Sequence, residues 1–137
     1  MSENSTQFKY EVTILERHLD SFGHVNNATY LELYEEARWD AITRGGYGLD
    51  TIHKLKKGPI VLETTVKFRK EIKNRDKVKI VSKSTGVKGK IMKMHQAILH
   101  ENGEIASEAD FTFGFMDLKE RKLINPPAEW LKAIGEI

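Results

Sequence analysis

The chain has no cysteine, only three prolines and no long apolar run. Without cysteine there is no disulfide, no thiolate metal ligand and no thiol nucleophile. A membrane-spanning helix needs about 18–20 consecutive apolar residues, and no such stretch occurs. The opening residues, Met-Ser-Glu-Asn-Ser-Thr-Gln, hold no apolar segment of the kind found in a secretory leader. Glycine patterns of P-loops and dinucleotide sites are missing as well. His18, His53, His95 and His100 lack partners at metal-ligand spacing, so no metal is expected. These absences are compatible with a cytoplasmic location, which is the expectation here, with neither membrane nor cofactor.

What is present is a hydrophobic fraction of 39% in 137 residues, enough for one folded core. A single domain over 1–137 is expected, with 1–6 as a short disordered lead. The net charge of +2 hides an uneven distribution. Residues 1–50 carry four Lys/Arg against nine Asp/Glu, residues 51–100 carry fourteen against three, and residues 101–137 carry four against eight. A basic middle third between two acidic ends raises the question of an anionic partner.

From Phe8 the sequence alternates, with Phe8, Tyr10, Val12 and Ile14 on one face, which predicts a half-buried strand. From about Asn26 the period changes: Tyr30, Leu33, Tyr34, Ala37 and Ala41 form a helical stripe opposite Glu32, Glu35, Glu36 and Asp40. Asn26 or Asn27 suits the N-cap, and Gly45-Gly46 stops the helix after Arg44. Residues 59–116 read as four antiparallel strands. In the first of these Ile60, Leu62, Thr64, Val66 and Phe68 alternate with Val61, Glu63, Thr65, Lys67 and Arg69. Asn102-Gly103 is the strongest turn signal, because both residues tolerate the positive φ of a type I′ hairpin. Asn125-Pro126-Pro127 opens a short terminal helix containing Trp130, Leu131 and Ile134. The simplest arrangement is α+β: one antiparallel, curved sheet wrapped around one long central helix, with a short C-terminal helix.

The polar run Asp20-Ser21-Phe22-Gly23-His24-Val25-Asn26-Asn27-Ala28-Thr29-Tyr30 carries the chemistry. A helix N-terminus presents free N–H groups and a positive partial charge, which can hold a developing oxyanion. Asp20, seven residues before Asn27, can act on the same carbonyl as nucleophile or general base. Read from composition alone, the commoner role of such an Asp20 is a cap or turn residue, and Asn26-Asn27 read as caps just as well.

The string Asp-x-x-Gly-His-Val-Asn-Asn-x-x-Tyr over residues 20–30, followed by Glu35-x-Ala37-Arg38, resembles the signature of the hotdog-fold acyl-CoA thioesterases. More narrowly, it is similar to their 4-hydroxybenzoyl-CoA thioesterase/YbgC-like branch. The resemblance implies a hotdog fold and homodimers or homotetramers with active sites at the subunit interface. It implies acyl-CoA as substrate, Asp20 as catalytic carboxylate and the backbone N–H near Asn27 as oxyanion donor. Asn26-Asn27 stand where many members of that branch have Tyr-His. That version is closer to fatty-acyl thioesterases, some of which act on acyl-carrier protein.

Thioester hydrolysis suits so small a kit. The leaving thiolate needs little acid assistance, since a thiol pKa lies near ~8.5. His24 either orients Asp20 or the water, or merely closes the loop. Glu35 matches the family position and reads as a water-positioning or substrate-side carboxylate, or as part of a solvated helix face. Tyr30 is a core residue or a pocket wall. The basic run Lys67, Arg69, Lys70, Lys73, Arg75 and Lys77 reads as a solvated sheet surface or as a cradle for the phosphates of coenzyme A. Nucleic acid is not expected as a partner, because no binding motif is present. A hydratase reading lacks its Asp-x-Asn-Pro-x-x-His stretch. A non-catalytic acyl-CoA-binding hotdog module is the remaining alternative, and retained Asp20 argues against it.

Overall fold

A computed structural model describes residues 4–137. In chain order it contains β1 (Gln7–Thr13), a single 3-10 turn (Glu16–His18), α1 (Asn27–Arg44), α2 (Leu49–Leu55), β2 (Lys57–Phe68), β3 (Lys77–Lys88), β4 (Ile91–His100), β5 (Ile105–Asp117), β6 (Lys122–Ile124) and α3 (Ala128–Ala133). The strands form one antiparallel sheet in the order β1-β3-β4-β5-β2, with β6 added on β5. This is the α+β arrangement expected from the sequence.

The helical stripe is the reason α1 lies in the concave face of the sheet. Tyr30, Leu33, Tyr34, Ala37 and Ala41 are all buried, while Glu32 and Glu35 face outward. Beneath them, the inward rows of the strands bring Ile80, Met92, Met94, Ile98, Phe111, Phe113 and Phe115 into one core. α1 packs nearest β1, β3 and α3, which leaves its β2 side more open. A polar line runs through this core. Gln96, fully buried, donates to the Tyr34 carbonyl (3.0 Å) and to Ser82 Oγ (2.9 Å), and Tyr34 Oη donates to Ser107 Oγ (2.7 Å). Satisfied in this way, the buried amide locks the helix at one height over β3 and β4.

Three features depart from the sequence expectations. Residues 4–6 are not a disordered lead: Ser5 is buried with its Oγ donating to the Ser84 carbonyl (2.7 Å), and the Thr6 N–H donates to Gly135 O (2.9 Å). Residues 1–3 lie outside the described residues. At the β4–β5 turn only Gly103 takes a positive φ (+90°), and its N–H donates to His100 O (2.9 Å). The turn is therefore a type I turn ending in a left-handed glycine rather than type I′. The third departure is in β2, where the pairing shifts between Val61 and Glu63. That bulge at Leu62 breaks the alternation, because an extra residue flips the strand's faces. Pro59 and Val61, opposite Phe115 and Phe113, share the concave face with Thr64, Val66 and Phe68, and Ile60 does not.

Two elements, α2 and β6, are absent from the sequence reading because each is short. α2 buries only Ile52, which packs over Gly58. β6 places Leu123 over Gly114, so closely that a Cβ there would come within 2.6 Å of Leu123 Cδ2.

Candidate active site

The segment between β1 and α1 folds back on itself. Asp20 N–H donates to His24 O (2.8 Å), and the Gly23 N–H donates to Asp20 O (3.2 Å). Gly23 has φ +84°, a left-handed conformation costly to any side chain but glycine's. Within this turn Asp20 Oδ1 accepts from the N–H groups of Phe22 (2.9 Å) and His24 (3.3 Å). One carboxylate oxygen is thus a turn-former, as the plain reading of a loop aspartate holds, and it fixes the orientation of the other.

The loop is pinned to the stretch before β3. His24 and Lys73 form a β-bridge, and Val25 N–H donates to Ile72 O (2.9 Å). The His24 Nε2 lies 2.8 Å from Glu71 Oε2, and Lys73 Nζ lies 3.1 Å from the other oxygen of that carboxylate. The neighbouring lysine holds the Glu71 carboxyl below its ordinary range. Both pairs are exposed, so solvent screening leaves each a small contribution to stability.

Helix α1 starts at the end of this loop without a side-chain cap. Asn26 is the N-cap by backbone alone, its carbonyl accepting from Thr29 N–H (2.9 Å). Among the described residues, the N–H groups of Asn27 and Ala28 meet no acceptor. They point their positive partial charge ahead of the helix, as uncapped first-turn donors do.

One open cleft gathers Asp20, His24, Asn27, Tyr30, Arg69 and Lys70, together with Glu71 and Phe68. Tyr30 is both core and wall: its ring is buried and meets Phe68 edge-to-face with centroids 4.8 Å apart. Burial, and then the charge of Asp20, pushes the Tyr30 hydroxyl pKa above its ordinary value. The basic residues at the rim are already paired. Arg69 Nε contacts Glu108 at 2.7 Å and Lys70 Nζ lies 3.7 Å from Glu104; outside the cleft, Arg75 Nη2 is 2.6 Å from Glu16.

Glu35 is the one sequence-expected residue found elsewhere. It lines a second cavity, of about 120 Å³, between α1, β2, β4 and α3. Met92, Met94 and Phe113 also line that cavity, whereas Leu62 does not: it sits on the bulge, exposed. Sequence reasoning missed Glu71 and Phe68 as members of the cleft, because they reach it from the β2–β3 connection and the end of β2, both distant in sequence. Phe68 had a signal, an aromatic ending an apolar stripe; Glu71 had none.

The comparisons agree with this architecture. The profile of the thioesterase-like superfamily matches residues 12–134. The long-chain acyl-CoA thioesterase FadM of Escherichia coli (strain K12) is 34% identical over 109 residues, covering 78% of this chain and 81% of FadM. The structure of YbaW, a probable thioesterase from Escherichia coli, superposes with a TM-score of 0.83 at 27% identity, over 94% of this chain and 97% of its own. A Staphylococcus aureus protein solved in complex with CoA shares the fold at a TM-score of 0.89 and 16% identity, over 96% of this chain and 84% of its own. By this fold, this loop-and-helix signature and these matches, the chain belongs to the thioesterase-like superfamily and is a thioester hydrolase of the hotdog fold.

Proposed function

We propose that the chain hydrolyses acyl-CoA thioesters in the cleft between the Asp20 turn and the start of α1. The observation that carries this reading is the meeting there of one carboxylate and two N–H groups without acceptors. The thioester carbonyl oxygen takes the Asn27 and Ala28 N–H groups, which stabilise the charge it acquires on attack. Asp20 either attacks that carbon, giving an acyl anhydride that water then opens, or takes the proton of an attacking water. In both routes the C–S bond breaks, and the thiolate leaves without needing a proton donor. His24, tied to Glu71, holds the loop against the β3 side and so positions Asp20. Arg69 and Lys70 at the rim turn toward the CoA phosphates, exchanging a carboxylate partner for phosphate oxygens. FadM's name, a long-chain acyl-CoA thioesterase, supports CoA as carrier and a fatty acyl group as cargo.

We further propose a homodimer paired along β2. This strand is a sheet edge of 12 residues, and Val61, Leu62 and Phe68 on it are about half exposed. An unprotected edge with apolar side chains is completed by a second strand. Sedimentation velocity should give a dimer, and Leu62→Lys should shift it toward monomer.

The activity test is release of free thiol from a panel of saturated and aromatic acyl-CoAs. Asp20→Asn should lower turnover by about 10²–10⁴ while circular dichroism stays unchanged. Equal turnover in that variant would remove Asp20 from the reaction; no turnover on any chain length would leave an acyl-CoA-binding module. Acyl-carrier protein bearing the same acyl group, run alongside, decides the carrier.

A further inference from the structure

Arg38 on α1 is a partly buried cation that lies over the aromatic row of β5. Its guanidinium carbon lies 4.4 Å from the centroid of Phe111 and 5.3 Å from that of Phe113. Nη1 donates to Gln96 Oε1 (2.9 Å), the amide already anchored to Ser82 and Tyr34 O. Among the described residues it has no carboxylate partner; Glu35, one turn away on α1, is beyond ion-pair distance. Burial lowers its pKa to about 10, so it remains charged at neutral pH. Partial burial without an ion-pair partner carries a desolvation cost that an added anion would offset.

The guanidinium lines the apolar cavity described above, whose remaining walls include Trp39, Val61, Met94 and Phe113. Of the other polar residues of the wall, Glu35 is an exposed carboxylate on α1 whose charge partly offsets the effect of burial on Arg38. The Ser84 hydroxyl is engaged with Glu136, and Lys93 belongs to the convex row opposite Thr112. The cavity also lies on the line of the reacting centre. From Asn27 to Arg38 is eleven residues of α1, about 16 Å of helix. The concave-facing side chains of β2 run beside that span, from Phe68 at the Asp20 cleft to Val61 and Pro59 in the cavity wall.

Resting on the acyl-thioester reading above, we propose that this cavity receives the far end of the acyl chain, and that Arg38 selects chains whose terminus carries a carboxylate. Such a group completes the guanidinium with a charge-assisted, bidentate pair, while the methylenes fill the apolar stretch between. The substrate class is the thioester of a medium-length dicarboxylic acid, and Arg38 is a specificity residue rather than a catalytic one.

The test compares dodecanedioyl-CoA with dodecanoyl-CoA on the full-length protein. Wild type should show the higher kcat/KM on the diacid thioester. Arg38→Met should lower the diacid-to-monoacid ratio about tenfold or more, and Arg38→Lys should lower it less. A wild-type preference for dodecanoyl-CoA, or a ratio unmoved in Arg38→Met, overturns the proposal. Should Arg38→Met not fold, the wild-type ratio and Arg38→Lys decide. Calorimetry with free dodecanedioate and dodecanoate separates the two readings. Arg38-dependent binding of the diacid without hydrolysis of any thioester would sink the thioesterase reading and keep the cavity assignment. Hydrolysis without diacid preference would do the reverse.

Discussion

The two ends of α1 are finished in opposite ways. At the C-terminus the chain closes tightly: Gly45 N–H donates to Ala41 O, Tyr47 N–H to Ile42 O, and Arg44 pairs with Asp40 at 3.1 Å. Gly45 there is pressed against α3, where a Cβ would lie 2.7 Å from the Ala133 backbone. At the N-terminus there is no side-chain cap, and two N–H groups meet no acceptor. A missing cap typically costs ~1 kcal/mol of helix stability. Packing of the stripe and the closed C-terminus hold the helix, so its first turn can stay unsatisfied, free for the substrate oxygen proposed above. In the reading proposed above, stability resides at one end and reactivity at the other.

That division can be broken most severely at its first residue. Asn27→Pro deletes one N–H where proline is well tolerated, the first helical position, and Asn26 already has the extended backbone a following proline requires (φ −64°, ψ 141°). Turnover should fall about 10²–10³ with little change in melting temperature. A loss of stability as large as the loss of activity would contradict the division. The opposite end should behave conversely. Gly45→Ala should destabilise by about 1–3 kcal/mol, read by urea unfolding, with near-normal turnover per folded molecule. Gly23→Ala meets no atom within 4 Å, so only its φ of +84° is penalised, roughly 1–2 kcal/mol.

The smallest effect is a pH dependence at the loop end. The Arg75 side chain beside Glu16, aided by Asn74, lowers the Glu16 pKa from 4.5 to about 2. A lowered carboxyl pKa contributes stability above pH 4.5 that is lost as pH falls through about 2. Urea midpoints should therefore decline over that window, and Glu16→Gln should flatten the decline slightly. The pair is fully exposed, so added salt should shrink the difference.

The sequence made the central helix and the order of the long strands legible, because Tyr30, Leu33, Tyr34 and Ala37 repeat at one period and β1, β3 and β5 at another. It made the cleft's local half legible too, since Asp20, His24, Asn27 and Tyr30 fall within eleven residues. The remainder depends on tertiary contact. Glu71 reaches His24, and Phe68 reaches Tyr30, only once the sheet curls around the helix. Arg38 read as part of a signature; its position over Phe111 and Phe113 comes from the pairing of β4 with β5. The elements α2 and β6 are too short for a period to form.

The bulge at Leu62 has a consequence for how such a protein can change. Because one extra residue inverts which side chains face inward, the two halves of β2 are out of phase. The half ending at Phe68 walls the Asp20 cleft, and the half containing Pro59 and Val61 walls the cavity. Deleting Leu62 would heal the bulge and leave Pro59 and Val61 opposite Phe115 and Phe113, still facing inward, with the Asp20 turn and the start of α1 untouched. A one-codon loss there would thus straighten the wall of the cavity proposed for the acyl tail without exchanging its side chains, and would spare the residues proposed to cut the thioester, so that the shape of the one can drift independently of the other.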